Sequence, residues 1–123
     1  TPEVRAGQKV YSQDDINIGK LNVEMDENGF GPKDGFDPEA LRHYREMFRQ
    51  IVVMSHEYFI QASLGKLTPE EYSQKEIKGR EIMSTFFYHL YRKLSREENQ
   101  RILTLMAIEA KEDEQDSKNP LDS

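Results

Sequence analysis

The sequence contains no cysteine and no long hydrophobic run. Without cysteine, the chain has no disulfide framework and no thiolate chemistry. No apolar stretch approaches the roughly 20 residues that cross a bilayer, and the N-terminus has no signal-peptide core. We therefore expect a soluble intracellular protein, cytoplasmic or nuclear, with no membrane partner. Because Thr1 is not an initiator residue, we also expect a processed chain or a piece of a longer one.

The usual catalytic and cofactor-binding patterns are missing as well. Ser55 and His56 are neighbours, so a helix would point them about 100° apart, and no glycine-rich turn offers an oxyanion hole. His89 has no acid one helical turn away, which excludes the Glu-x-x-His pairs of di-iron bundles. We expect no enzyme, no metal and no cofactor.

The glycine-rich run at residues 26–37 has the composition of a calcium loop but not its spacing. With Gly31 as the sixth residue of such a loop, Phe30 is fifth and Asp37 is twelfth. With Gly29 sixth, Gly35 is at the twelfth position, which requires a bidentate carboxylate. Neither register fits, so the run predicts a turn-rich connector.

Charge is unevenly distributed along the 123 residues, whose net charge is −6. Residues 1–37 hold 4 basic and 8 acidic side chains, residues 38–96 hold 10 and 7, and residues 97–123 hold 3 and 8. A chain of this length forms one domain. Its overall acidity argues against nucleic acid as the first class of partner.

The stretch from Asp37 to Gly65 predicts one long amphipathic helix at about 38–64. Asp37 is a capping residue, Pro38 suits the first helical position, and Gly65 is a typical helix stop. Apolar or small residues recur every three or four positions, at Leu41, Tyr44, Phe48, Ile51, Val52, Ser55, Tyr58, Phe59 and Ala62.

Two further helices are predicted at about 69–94 and 96–112. Thr68 with Glu71, and Ser95 with Glu98, have the spacing of capping boxes. Gly79 lies within the apolar face of the second helix, so we expect another backbone to approach it closely. From residue 113 onward the chain is acidic and lacks apolar periodicity, which predicts a disordered tail at 113–123.

Residues 1–36 predict an irregular arm or a short β-hairpin. Ile16 and Ile18 alternate with polar residues, and Leu21, Val23 and Met25 do so in a shifted phase around Gly19. The alternative is a single strand with a bulge at Gly19. The fold expected from the sequence is all-α: an antiparallel three-helix bundle over 37–112, built from a long helical hairpin and a shorter third helix.

A third helix shorter than the hairpin leaves apolar surface uncovered near Gly65. We therefore expect a non-catalytic protein-interaction module, acting as an adaptor, regulator or assembly subunit, whose partner is another protein or a second copy. The expected contact residues are Tyr58, Phe59, Ala62, Tyr72, Ile77, Tyr88, Tyr91, Leu105 and Ile108.

The alternative function is nucleic-acid binding. Arg42, Arg45 and Arg49 form a row beside the apolar stripe, at a spacing that could grip phosphates. Residues Arg92, Lys93 and Arg96 would extend this anion-binding surface. Boundary arginines also lay their stems on a core and pair with acids, which is the structural explanation of the same pattern.

Overall fold

A computed structural model describes residues 3–5 and 8–118 of the chain. Its elements are β1 (Glu3–Arg5), β2 (Gln8–Val10), α1 (Gln13–Glu27), a 3₁₀ turn (Pro32–Asp34), α2 (Glu39–Ser63) and α3 (Pro69–Lys118). Most of the described residues are helical, which confirms the all-α class. The chain forms two units that divide between Ala62 and Ser63, and each is described by itself.

The first unit begins with a two-stranded ladder and continues into an unpredicted helix. Strands β1 and β2 pair antiparallel, with Glu3 opposite Val10. The hairpin predicted around Gly19 is wrong, because residues 13–27 are the helix α1. The Ser12 hydroxyl accepts from the Asp15 N–H at 3.1 Å, and the Asp15 carboxylate accepts from the Ser12 N–H at 3.2 Å. This capping box satisfies N–H groups that a helix start leaves unpaired.

The connector between α1 and α2 is turn-rich, as predicted. The Asn28 N–H donates to the Glu24 carbonyl at 3.0 Å and ends α1. Gly31 is buried against this end: a Cβ at that position would stand 2.1 Å from the Asp26 carboxylate. The rings of Phe30 and Phe36 lie 5.7 Å apart across the short 3₁₀ turn. A side chain at position 31 would displace the Asp26 carboxylate and stand 3.2 Å from the Asp26 Cα, so this close approach favours glycine.

Helix α2 matches the predicted central helix to within one residue at each end. The Asp37 carboxylate accepts from the Glu39 N–H at 2.9 Å, so Asp37 caps the helix as expected. After Ser63 the chain turns through Gly65, whose φ of 75° is the left-handed conformation that glycine adopts readily.

Helix α3 forms the second unit and is continuous over 50 residues. Its start is the predicted one: the Glu71 N–H donates to the Thr68 hydroxyl at 3.1 Å, and the Glu71 carboxylate accepts from the Thr68 N–H at 3.0 Å. The predicted break at Ser95 is wrong, and with it the antiparallel arrangement of a second and a third helix. Glu98 does not cap a new helix, because its carboxylate accepts from the Arg101 guanidinium one turn later.

The acidic C-terminal segment is also more helical than predicted. Helix α3 runs to Lys118, so the prediction of disorder is wrong for residues 113–118. A Lys118 to Glu114 ion pair of 3.1 Å spans the last turn of the helix. Residues 119–123 of the predicted tail lie outside the described residues.

No apolar side chain of residues 11–118 is buried, and the packing of the helices into one bundle stays a prediction. Gly79 illustrates this point. A Cβ at position 79 would meet nothing within 4 Å, so the close backbone approach expected there is not observed and stays a prediction. The helices instead present their apolar sides at the surface.

Candidate interaction surfaces

Helix α2 carries a continuous apolar side that is largely open to solvent. Phe48 is 47% exposed and Val52 is 40% exposed, whereas Ile51 between them is half-buried. The glutamates of α2 lie on the opposite side of the helix, because each is two residues away from a position of the apolar side. They are Glu39, Glu46 and Glu57. The separation of apolar and acidic sides makes α2 a strongly amphipathic helix.

The residues of the patch expected near Gly65 fall in both units. Tyr58 is 66% exposed, Ala62 is exposed, and Phe59 is half-buried at the end of α2. Tyr72, half-buried in the first turn of α3, belongs to the second unit. The patch as a single surface therefore stays a prediction, while its two halves are each accessible.

The continuity of α3 gives it two apolar faces, about 120° apart around the helix axis. The first face follows from the helical period through Met83, Leu90 and Leu94 and continues to Leu105 and Ile108. Leu105 and Ile108 are each about half exposed. The contact residues predicted on the outside of a separate third helix therefore extend the face that carries the middle of α3.

The second face of α3 combines two residues predicted on the second helix, Ile77 and Tyr88, with one predicted on the third, Ile102. Ile77, Tyr88 and Ile102 fall within about 40° of one another around a continuous helix axis. Ile77 and Tyr88 are both 58% exposed, and Ile102 is 37% exposed. This face is therefore accessible over residues 77–102, about half of the length of α3.

Tyr88 connects the apolar second face with one of the predicted basic residues. The Arg92 guanidinium carbon lies 5.5 Å from the centre of the Tyr88 ring, which is a cation–π contact. The His89 ring stands edge-on to the same tyrosine, with centroids 5.1 Å apart. Tyr91, one turn from Tyr88, is the more exposed tyrosine at 74%. The aromatic residues at 88–91 thus offer flat, amphipathic contact area.

The predicted anion-binding arginines lie on the surface of α2. Arg42, Arg45 and Arg49 are exposed along one flank of the apolar side. Arg42 pairs with Glu39 at 3.5 Å, an exposed one-turn ion pair of small energetic value. Lys93 and Arg96 are likewise exposed on α3. The two predicted basic groups belong to separate units, so a joint anion-binding surface stays a prediction.

Charged pairs along α3 set the local electrostatics. Glu76, with a side chain only 17% exposed, holds Arg80 through two hydrogen bonds of 2.6 and 3.1 Å. The hydrogen bond from Arg101 holds the pKa of Glu98 below its ordinary value, and the same bond raises the pKa of Arg101. Each pair is one turn long, so these residues reinforce the helix.

Comparison with protein-family models, with curated proteins and with solved structures finds no match for this chain. Among residues 3–5 and 8–118, no group of three or more histidines or acids is placed to hold a metal ion. In the same part of the chain, none of the helices combines the length and apolarity needed to cross a membrane.

Proposed function

We propose that this chain is a non-catalytic helical module that binds protein through its apolar faces, as an adaptor, regulator or assembly subunit. The observation that supports the proposal is the exposure of apolar side chains along α2 and both faces of α3, with none buried in residues 11–118. Helix stability in proteins comes mainly from packing of an amphipathic face, so these helices need a surface to pack on.

The proposal includes the setting that the sequence indicates, inside the cell in the cytoplasm or nucleus. It also includes packing of α2 on the first half of α3, as the short turn through Gly65 favours antiparallel neighbours. Even then, α2 has one apolar side and α3 has two, so at least one face is left for a partner. The partner class is protein because the faces combine exposed tyrosines with aliphatic residues.

The test of this proposal compares substitutions on the expected contact faces with controls on the polar sides. Tyr88→Asp and Phe59→Asp place a charge on an apolar face, and we expect each to weaken binding of a purified partner at least tenfold. The matched controls are Lys78→Asp on α3 and Gln61→Asp on α2, both at exposed positions away from the apolar faces.

The partner for this test is identified first by affinity capture with the intact chain, and its affinity is then measured by calorimetry with each variant. Circular dichroism checks that all four variants keep the helix content of the parent. Unchanged affinity for both Tyr88→Asp and Phe59→Asp would overturn the proposal, as would a catalytic activity of the isolated chain.

The second candidate function is nucleic-acid binding through Arg42, Arg45 and Arg49. The observation in its favour is that the three guanidinium groups lie exposed along one flank of α2. Such binding would show an affinity for nucleic acid that falls steeply as the salt concentration rises, because each neutralised phosphate releases counterions. A fluorescence titration with a labelled 20-nucleotide strand tests it. Affinity that survives the triple change to alanine, or shows no salt dependence, rules it out.

A further inference from the structure

The C-terminal half of α3 carries an apolar cluster that α2 is too short to cover together with the first half. At about 1.5 Å per residue, α3 is about 75 Å long and α2 about 37 Å. A helix of the length of α2 therefore covers at most half of α3. Ile102, Leu103 and Met106, which are 37%, 51% and 59% exposed, form the cluster. They lie on one side of the helix, with a midpoint at residue 104.

Two blocks of opposite charge lie on either side of this cluster. Residues 92–96 contain three bases, Arg92, Lys93 and Arg96, and no acid. Residues 112–116 contain four acids, Glu112, Asp113, Glu114 and Asp116, and no base. The centres of the two blocks are equally far from residue 104, which is also the midpoint of the apolar cluster.

This symmetry fits one occupant, and we propose that residues 92–116 of α3 pair antiparallel with the same segment of a second copy of this chain. An antiparallel pair centred at residue 104 places cluster against cluster and each basic block against the acidic block of the other copy. A parallel pair would place like charges together, which is repulsive. The inference deepens the proposed function, since it names the partner of one apolar surface.

The helical period supports the same register. Arg96 and Glu114 are 18 residues apart, about five helical turns, so they lie at the same angle around the axis of α3. In a twofold antiparallel pair, equivalent flanks of the two helices face each other, which brings Arg96 of one copy to Glu114 of the other. Leu103 lies two turns from Arg96, so this charged flank borders the apolar cluster. Glu114 is 65% exposed in its pair with Lys118 and has room for a second cation.

Light scattering of the full chain over a hundredfold range of concentration tests the pairing. We expect a reversible dimer. Arg96→Glu alone and Glu114→Arg alone should each weaken dimerisation at least tenfold, because each places like charges together at two symmetric positions. The double variant should recover most of the affinity, because the exchange restores opposite charges. Lys78→Glu, an exposed charge reversal on the first half of α3, is the control and should leave the dimer unchanged.

Distances between spin labels test the orientation. Because the chain has no cysteine, Thr104→Cys and Ser95→Cys each introduce a single labelling site. In the antiparallel pair, labels at position 104 lie level with each other along the axis, on the outer sides of the two helices. Labels at position 95, on the side of the cluster, are offset by about 27 Å along the axis, which is 18 residues of rise. A parallel pair gives a short distance at position 95 and overturns the proposal.

The remaining outcomes separate this inference from the proposed function. A monomer at every concentration, or a dimer that Arg96→Glu and Glu114→Arg leave intact, overturns the pairing. Neither result affects partner binding through Tyr88 and Phe59, which is measured on its own. If the intact chain binds no partner protein but forms a charge-dependent dimer, the pairing is supported and the proposed function is not.

Discussion

Gly65 and Gly79 lie in different backbone conformations, so we expect substitution by alanine to have opposite effects on stability at the two positions. Gly65 has a φ of 75°, which alanine adopts at a cost, whereas Gly79 lies inside α3 with open space where a Cβ would be. We expect Gly79→Ala to stabilise the helix by about 1 kcal/mol and Gly65→Ala to destabilise the chain. Thermal unfolding followed at 222 nm measures both. A destabilising Gly79→Ala would instead reveal a close partner at that position.

The capping box at the start of α3 gives a pH dependence of known sign. The Thr68 N–H and hydroxyl hold the pKa of Glu71 below its ordinary value of 4.5. A carboxylate with a lowered folded-state pKa stabilises the fold above its unfolded pKa, and this contribution is lost as pH falls through the folded value. Helix content should therefore decrease on acidification below about pH 4.5, and Glu71→Gln should flatten this decrease. A variant that keeps the full pH dependence would contradict the assignment.

At the scale of elements, the continuity of α3 through Ser95 can be tested with one proline. Proline is tolerated at the first position of a helix but costs about 3 kcal/mol in a helix interior. If a new helix began after Ser95, Arg96→Pro would be nearly neutral. Because α3 is continuous there, we expect Arg96→Pro to lower helix content markedly at 222 nm, while Arg96→Ala preserves it.

The helix starts were largely predictable from sequence, and the helix interiors were not. Thr68 with Glu71 and Asp37 with Glu39 both act as their spacing indicates, because capping depends on neighbours three residues apart or fewer. The same pattern at Ser95 wrongly predicted a helix start, because the Glu98 carboxylate accepts a hydrogen bond from Arg101 one turn later. A cap-like pattern inside a strong helix-forming stretch is therefore ambiguous.

Helix α1 was missed because two periods overlap in its sequence. Ile16 and Ile18 alternate as in a strand, yet Ile18, Leu21 and Met25 also recur at the helical spacing of three and four. The Ser12 and Asp15 box, three residues apart, was the signal that favours the helix. The contact residues at 105 and 108 were placed on a separate helix for a related reason: their register depends on whether Ser95 breaks the chain.

For the whole molecule, the exposure of apolar side chains in residues 11–118 leads us to expect a stability that depends on protein concentration. Anything that binds the folded chain and not the unfolded one stabilises it by mass action. If the second copy is the partner, raising the concentration hundredfold should add up to about 2.7 kcal/mol to the stability of the fold. Unfolding midpoints measured at 222 nm across that range check this, and a midpoint independent of concentration would contradict it.

The acidic end of α3 also has a consequence for the order in which the helix melts. The partial charge at a helix C-terminus is negative, so acids there are unfavourable and cations are favourable. Glu112, Asp113 and Asp116 lie in the last turns of α3, where Lys118 is the one basic residue of the final turn. These turns should fray first at neutral pH and low salt, and any cation brought to them should hold them in place. The C-terminal end of α3 is thus the part of the helix that a bound cation would order most easily.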